Sequence, residues 1–180
     1  MNKTFFLDLT INNPIIKNHT IFGQSLMPGL AYIDLLYQLA INELNPECRN
    51  YSINKMFILK PLILSKEEAK KIKIVFTKKH ENWMISVEDA ESDTKKDGNV
   101  YISAELHKSI ISFDMHLDIN ALITKSTKKT DLEDIYSKAR QRDLVHKEII
   151  KAEGSIYISE DDFLIDILNF LWQRMIVPKR

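Results

Sequence analysis

The apolar positions of the chain follow a helical period in one long N-terminal segment. Between residues 30 and 44 they recur at the spacing of one helix face: Leu30, Ile33, Leu36, Tyr37, Ala40, Ile41 and Leu44. So much of this segment is apolar that we expect the helix to be buried, packed against a sheet. Asn45-Pro46 ends it, because the residue before a proline disfavours the helical conformation.

The period then changes to that of strands. Residues 51–64 are rich in Ile, Phe and Leu and predict one strand, bent near Pro61. Residues 71–77, 83–87 and 100–106 alternate polar and apolar side chains, and residues 78–82 form a hairpin turn between the first two of these. The pattern predicts an α+β fold, a long helix followed by about four antiparallel strands.

The C-terminal third is less regular. Residues 113–130 contain a Lys/Ser/Thr cluster and predict a linker. A short helix follows, ending at Arg142 and capped by either Thr130 or Asp131. Residues 148–158 predict a strand in which Gly154 marks a bulge. A second apolar helix is predicted over residues 163–176.

Composition removes several classes of function. The 180 residues carry 25 basic and 25 acidic side chains, so no overall charge favours a nucleic acid or an anionic membrane. Cys48 is the one cysteine, which excludes an internal disulfide and a cysteine zinc site and fits a reducing compartment. The N-terminus lacks a signal-peptide pattern, and no apolar run approaches the ~20 residues that span a bilayer, so we expect a cytoplasmic protein without membrane association.

Candidate chemistry is concentrated just before the long helix. His19 is followed four residues later by Gly23, and then by Pro28-Gly29 at the helix start. The imidazole can move a proton near neutral pH, glycine lets a backbone N–H approach a carbonyl, and a helix start offers unpaired N–H groups. The alternative is an ordinary loop histidine. The remaining histidines show no metal-ligand spacing, so we expect no metal site: His80, His107, His116 and His146.

The pattern from His19 through Pro28-Gly29 into residues 30–36 resembles the opening motif of the dehydratase domains of modular polyketide synthases. Residues 57–64, with a central proline, resemble the following strand of that family. The resemblance implies a double hotdog, in which each unit is a long central helix wrapped by an antiparallel sheet. It implies a dehydratase-like hotdog over residues 1–112, a linker over 113–130, and a shortened remnant of a second hotdog, packed on the first, over 131–180.

The same resemblance implies roles for individual residues. His19 would remove the α-proton of a 3-hydroxyacyl thioester, the Gly23 N–H would polarise the thioester carbonyl, and the Pro28-Gly29 turn would aim the helix start at the substrate. Asp166 superficially resembles the aspartate that protonates the departing β-hydroxyl. Four positions later the family has glutamine or histidine, whereas this chain has Phe170.

The second half departs from the family in a further place. His146 matches the first position of a motif that begins with an aromatic residue or histidine, but the Gly-Pro that normally follows is replaced by Lys147-Glu148. The position of His146 in that motif is therefore retained while the Gly-Pro after it is not.

The resemblance implies dehydration of an acyl chain held on the phosphopantetheine arm of acyl carrier protein, with no bound metal or redox cofactor. The expected partners are acyl carrier protein and other polyketide synthase domains. Two alternatives stay open. One is a non-catalytic hotdog that serves packing or docking in a synthase. The other is a homodimeric single-hotdog thioester enzyme that borrows a carboxylate from its second subunit.

Overall fold

The computed structural model describes residues 1–65, 69–91, 99–109 and 117–169. These fall into two compact units. The first contains residues 1–17, 24–65, 69–91 and 99–109, and the second contains residues 18–23 and 117–169. The short segment that carries His19 groups with the C-terminal part of the chain. The domain bounds expected from the sequence, 1–112, 113–130 and 131–180, stay predictions.

The first unit is an antiparallel sheet with a long helix. Its helices are α1 (Pro14–Lys17) and α2 (Gly29–Leu39). Its strands are β1 (Asn2–Leu9), β3 (Gln24–Leu26), β4 (Tyr51–Ile58), β5 (Ile63–Leu64), β6 (Lys70–Lys79), β7 (Asn82–Asp89) and β8 (Val100–Lys108). The intervening strand β2 (His19–Ile21) belongs to the second unit.

The five long strands of the first unit pair in the order β1-β6-β7-β8-β4. The alternation of polar and apolar residues that predicted β6 matches the two faces of this sheet. Its apolar residues Ile72, Ile74 and Phe76 are all fully buried on one face. The predicted turn after residue 78 joins β6 to β7, and His80 occupies it with a φ of 57°. The predicted strand over 51–64 is divided into β4 and β5, with Pro61 in the irregular segment between them.

Helix α2 is buried along the face formed by Ala31, Tyr32, Leu35, Leu36 and Leu39. It is fixed to edge strand β4 by a tyrosine hydroxyl. The Tyr37 hydroxyl donates to the Tyr51 carbonyl at 2.9 Å and accepts from the Ile53 amide at 3.1 Å. The helix-on-sheet α+β arrangement predicted from the sequence is therefore confirmed.

The predicted face of α2 is wrong at its start, because Leu30 is 67% exposed. The buried stripe begins one residue later, at Ala31, and continues at intervals of three and four residues. Beyond Leu39 the helix widens into a π-helical turn over Ala40–Leu44. The Asn45 side chain then accepts from the Glu47 amide at 2.9 Å and begins a 3₁₀ turn, in agreement with the predicted end of the helix.

The second unit contains a three-stranded sheet and two short helices. Its helices are α3 (Ile119–Lys125) and α4 (Leu132–Arg140). Its strands are β2 (His19–Ile21), β9 (Lys128–Asp131), β10 (Leu144–His146), β11 (Glu153–Ile158) and β12 (Phe163–Asn169). The three-stranded sheet has the order β12-β11-β9, and β2 pairs with β10. The segment predicted as a linker over residues 113–130 therefore contains α3 and most of β9 where the structure describes it.

Helix α4 agrees with one of the two predicted caps. The Asp131 carboxylate accepts from the Glu133 amide at 2.8 Å, so Asp131 rather than Thr130 is the N-cap. The predicted bulge in β11 is also present, because the register with β12 shifts between Glu153 and Gly154. Gly154 has a φ of 153°, and a Cβ atom there would lie 1.9 Å from the Asp166 carbonyl oxygen. Only glycine fits at this position.

The helix predicted from residue 163 is wrong in its first half. Residues 163–169 form β12, which pairs with β11 along its length; the remainder of that prediction, residues 170–176, lies outside the described residues. A short apolar run fits either period, and here pairing with β11 decides the conformation. No helix in the described part of the chain is long and apolar enough to cross a membrane.

Candidate active site

The candidate base, His19, lies on a short strand of the second unit. β2 pairs antiparallel with β10, and the register places His19 directly opposite His146. The strand ends after three residues because Phe22 and Gly23 both have positive φ angles, 49° and 75°. Two consecutive residues of this kind are typical of a type I′ turn, which favours glycine at such a position. The histidine-to-glycine spacing in the sequence therefore corresponds to a strand followed by a tight turn.

Backbone hydrogen bonds hold both ends of β2 to the β10 segment. The Phe22 amide donates to the Asp143 carbonyl at 2.9 Å, just beyond one end of the pair. The Lys147 amide donates to the Asn18 carbonyl at 3.0 Å, just beyond the other end. His19 is therefore held between two fixed points, and its backbone has little freedom to move relative to β10.

The two histidine side chains lie against each other on one face of this strand pair. Their ring centroids are 5.2 Å apart, and the ring planes are inclined by 60°. His19 is 7% exposed and His146 is half-buried. Directly opposite residues of an antiparallel pair project to the same side, so the register itself produces the contact.

A tyrosine from helix α4 extends this contact to a third ring. The centroid of Tyr136 lies 5.7 Å from that of His146, at an inclination of 52°. The Tyr136 hydroxyl accepts a hydrogen bond from the Ala152 amide at 2.9 Å. Because this bond fixes the end of the tyrosine side chain, His146 lies between a fixed tyrosine ring and the ring of His19.

A buried amide side chain next to His19 makes a long-range contact. Asn18 is 3% exposed, and its Nδ2 atom donates to Oε2 of Glu148 at 3.0 Å. Glu148 has a φ of 46°, a conformation that a residue with a side chain adopts only at a cost of about 1–3 kcal/mol. The bond therefore joins the residue before the candidate base to a strained position two residues after His146.

The electrostatics of the site are set by burial and by the histidine pair. Burial lowers the pKa of the His146 imidazole, and the neighbouring His19 lowers it further. The Nδ1 atom of His146 is enclosed and has no hydrogen-bond partner among the described residues. Both causes oppose a positive charge on the ring, so they favour the neutral form of His146.

The other predicted site residues occupy different places. Gly23 is in the turn after β2, and no atom of the described residues outside its chain neighbours lies within 4 Å of where its Cβ would be, so its backbone is open to close approach. Pro28 and Gly29 belong to the first unit, where Pro28 is extended and α2 begins at Gly29. Asp166 lies on β12 opposite Ser155 and is exposed. The acid role of Asp166 stays a prediction.

Metal chemistry has no obvious ligands in the part of the chain that the structure describes. No group of three or more His, Cys, Asp or Glu side chains there is arranged to hold a metal ion. His116 lies outside the described residues.

Three residues of the site were not identified from the sequence as neighbours of His19: His146, Tyr136 and Glu148. Each is more than a hundred positions away from His19 in the chain, and the pairing of β2 with β10 brings them together. The one available signal was the resemblance that assigned His146 to a family motif. No local pattern indicated that its ring would meet that of His19.

Comparison with known proteins points to one family. Residues 3–89 match the family profile described as the polyketide synthase dehydratase domain. The chain is 31% identical over 166 residues to polyketide synthase PksL of Bacillus subtilis (strain 168), a match that covers 89% of this chain and 4% of that protein. The chain thus spans a small part of the curated relatives it matches.

Solved structures agree with the fold. A monomeric dehydratase domain from a trans AT polyketide synthase split module has a TM-score of 0.81 and 31% identity, covering 93% of this chain and 63% of that one. An N-terminal dehydratase from the difficidin assembly line has a TM-score of 0.79 and 27% identity, covering 93% of this chain and 59% of that one. The hotdog fold predicted from the sequence is therefore confirmed.

Proposed function

We propose that the chain acts as a polyketide synthase dehydratase domain, which its similarity to that family supports, and that it removes water from a 3-hydroxyacyl thioester carried on acyl carrier protein. The observation that carries the proposal is the placement of His19, a nearly buried imidazole held in fixed register on β2. An imidazole is the side chain best suited to exchange a proton near neutral pH.

The proposed reaction begins with proton removal. His19 takes the proton from the carbon next to the thioester carbonyl, and the electrons of that C–H bond form the new double bond as the β-hydroxyl departs. This α-proton is weakly acidic, so negative charge on the thioester oxygen needs fixed donors. We assign the Gly23 N–H to that oxygen, because its turn is open.

The proposed substrate also sets the partners and the cofactor requirement. The acyl chain would arrive on the phosphopantetheine arm of acyl carrier protein, and other polyketide synthase domains would supply and receive it. Proton transfer of this kind requires no metal or redox cofactor. Cys48 is free and buried, in keeping with the reducing cytoplasm expected for such a synthase.

A second candidate function is non-catalytic packing or docking within a synthase. It is favoured by the exposed position of Asp166 on β12, because an aspartic acid that donates a proton to a bound substrate normally sits in a sheltered pocket. A homodimeric thioester enzyme is the other alternative, and the mass of the protein in solution tests it directly.

The test is a mass-spectrometric assay with carrier protein loaded with a 3-hydroxyacyl chain. The proposal predicts loss of one water with the wild type and no loss above background with His19→Phe. His107→Phe is the matched control, since His107 lies on β8 in the first unit beside Glu105 and should leave the rate unchanged. A folded wild-type protein that removes no water from any of several chain lengths favours the non-catalytic role.

A further inference from the structure

Proton removal leaves a positive charge on the base that performs it. When His19 takes the α-proton of the proposed reaction, its imidazole becomes an imidazolium at a position where the side chain is nearly buried. Burial opposes such a charge, because the protein replaces the water that would solvate it. A base in this position therefore benefits from a neighbour that stabilises the charge it acquires.

The ring that contacts His19 is that of His146, and the site favours its neutral form. Burial and the neighbouring His19 both lower the pKa of His146. Its enclosed Nδ1 atom has no hydrogen-bond partner among the described residues, whereas a charged imidazole needs an acceptor for each of its two N–H groups. A pair that holds one proton therefore carries it on His19, and His146 faces that charge as a neutral aromatic ring.

The two rings meet in a geometry that suits a cation beside an aromatic ring. Their centroids are 5.2 Å apart and their planes are inclined by 60°, which is an edge-to-face contact. The edge of an aromatic ring is positive and its face is negative, so this arrangement is attractive even between neutral rings. A cation within about 6 Å of the centroid of a neutral aromatic ring is attracted more strongly. The contact between the two histidines should therefore strengthen when His19 is protonated.

The fold holds this neighbour in place. The ring of Tyr136 packs against His146 at 5.7 Å, and the Tyr136 hydroxyl is fixed by the Ala152 amide. The backbone bonds at both ends of β2 hold the separation of the two histidines. His146 is thus supported from behind by α4 and aligned with His19 by the strand register.

The charged side chains on the segments around this pair are open to water. Asp143 precedes β10, Lys147 follows it, and both are exposed. Glu148 is also exposed, and its carboxylate accepts from the Asn18 side chain at 3.0 Å. Water screens charges at such positions. The sheltered ring of His146 is therefore better placed than these charges to act on His19.

We propose that His146 is a positioning residue of the dehydration, which holds the His19 imidazole in place and stabilises its protonated form through the face of a neutral ring. The inference rests on the proposed function. His19 takes the α-proton, and the C–H electrons form the double bond as the hydroxyl departs. His146 exchanges no proton with the substrate. Its contribution is the aromatic ring beside the base, so another aromatic side chain should replace it and an aliphatic one should not.

The test compares His146→Phe, which keeps a ring at this position, with His146→Leu, which removes it. NMR titration follows the ring protons of His19, identified by their loss in His19→Phe. The acidic limb of the pH profile of kcat/KM for water elimination reports the same group in the free enzyme. A stabilised cation keeps its proton to higher pH, so both midpoints should fall by about 0.5–1 pH unit in His146→Leu. In His146→Phe they should stay at the wild-type value. His107→Leu, on β8 in the first unit, is the matched control and should move neither midpoint.

Other outcomes overturn the proposal in distinguishable ways. A His146→Leu protein that loses activity at every pH while both midpoints stay unchanged assigns the ring to structure alone. Equal falls of the midpoints in both variants show that an imidazole nitrogen, rather than the ring face, acts on His19. A wild type that eliminates no water removes the proposed function and this role with it, whatever the NMR midpoints are. If His146→Leu does not fold, His146→Met is judged by the same two midpoints.

Discussion

The hydrogen bond between Asn18 and Glu148 should stabilise the pairing of β2 with β10 measurably. It joins a buried amide to a carboxylate across 130 positions of the chain, at 3.0 Å. Asn18→Ala removes the donor, leaves Glu148 exposed to solvent, and leaves the backbone bond between Asn18 and Lys147 in place. The substitution therefore isolates the contribution of one side chain next to the candidate base.

The size of the effect follows from the exposure of the two partners. Hydrogen bonds to charged groups contribute about 1.5–3 kcal/mol, and the exposed carboxylate of Glu148 places this bond at the lower end, since water replaces its lost partner. We therefore expect a loss of about 1.5 kcal/mol in the free energy of unfolding. For a chain of this length that corresponds to a decrease of about 3–6 °C in the melting temperature.

The assay is thermal unfolding of the wild type, Asn18→Ala, Glu148→Ala and the double variant. If the bond forms in solution, the two single substitutions are not additive and the interaction energy is about 1 kcal/mol. Glu148→Ala also retains a positive φ angle, so its own strain is unchanged in the cycle. An interaction energy below about 0.3 kcal/mol refutes the assignment of this bond as a support of His19.

Four further predictions concern the same unit. His19→Phe should raise the pKa of His146 in NMR titration without restoring its ordinary value, because burial remains. The folded protein binds this proton at lower pH than the unfolded chain, so the free energy of unfolding should fall as the pH drops below about 6.5, and His146→Phe should remove that part of the slope. Tyr136→Phe removes the acceptor of the Ala152 amide and should lower the free energy of unfolding by about 1–3 kcal/mol in denaturant titrations, while His146 keeps its ring contact. Gly154→Ala places a methyl group 1.9 Å from a carbonyl oxygen of β12 and should reduce the yield of folded protein, which circular dichroism and size-exclusion chromatography would show.

The sheet and the helix of the first unit were predictable because their patterns are local. Alternation in β6 and the apolar period of α2 each follow from burying one side of a regular element. The exposed Leu30 shows the limit of this reasoning, since a helix rich in apolar residues has several faces that fit the period. Which face is buried depends on the strands it meets.

The second unit was predictable only in part. The helix cap and the bulge at Gly154 depend on neighbouring residues, so the sequence indicated the bulge and narrowed the cap to Thr130 or Asp131, of which the structure has Asp131. Residues 163–169 were predicted to be helical. That prediction was wrong because pairing with β11, which the local sequence does not show, decides their conformation. His146 could not be identified as the neighbour of His19 for the same reason, since the pairing of β2 with β10 joins distant parts of the chain.

The central claim is that His19 removes the α-proton of a 3-hydroxyacyl thioester. It is tested most directly with carrier protein whose acyl chain carries two deuterium atoms on the α-carbon. The account predicts that the wild type releases one of them together with the hydroxyl, giving a product with a single α-deuterium at a reduced rate, and that His19→Phe gives no such product. Wild-type rates in His19→Phe, or a product that keeps both deuterium atoms, would contradict the account.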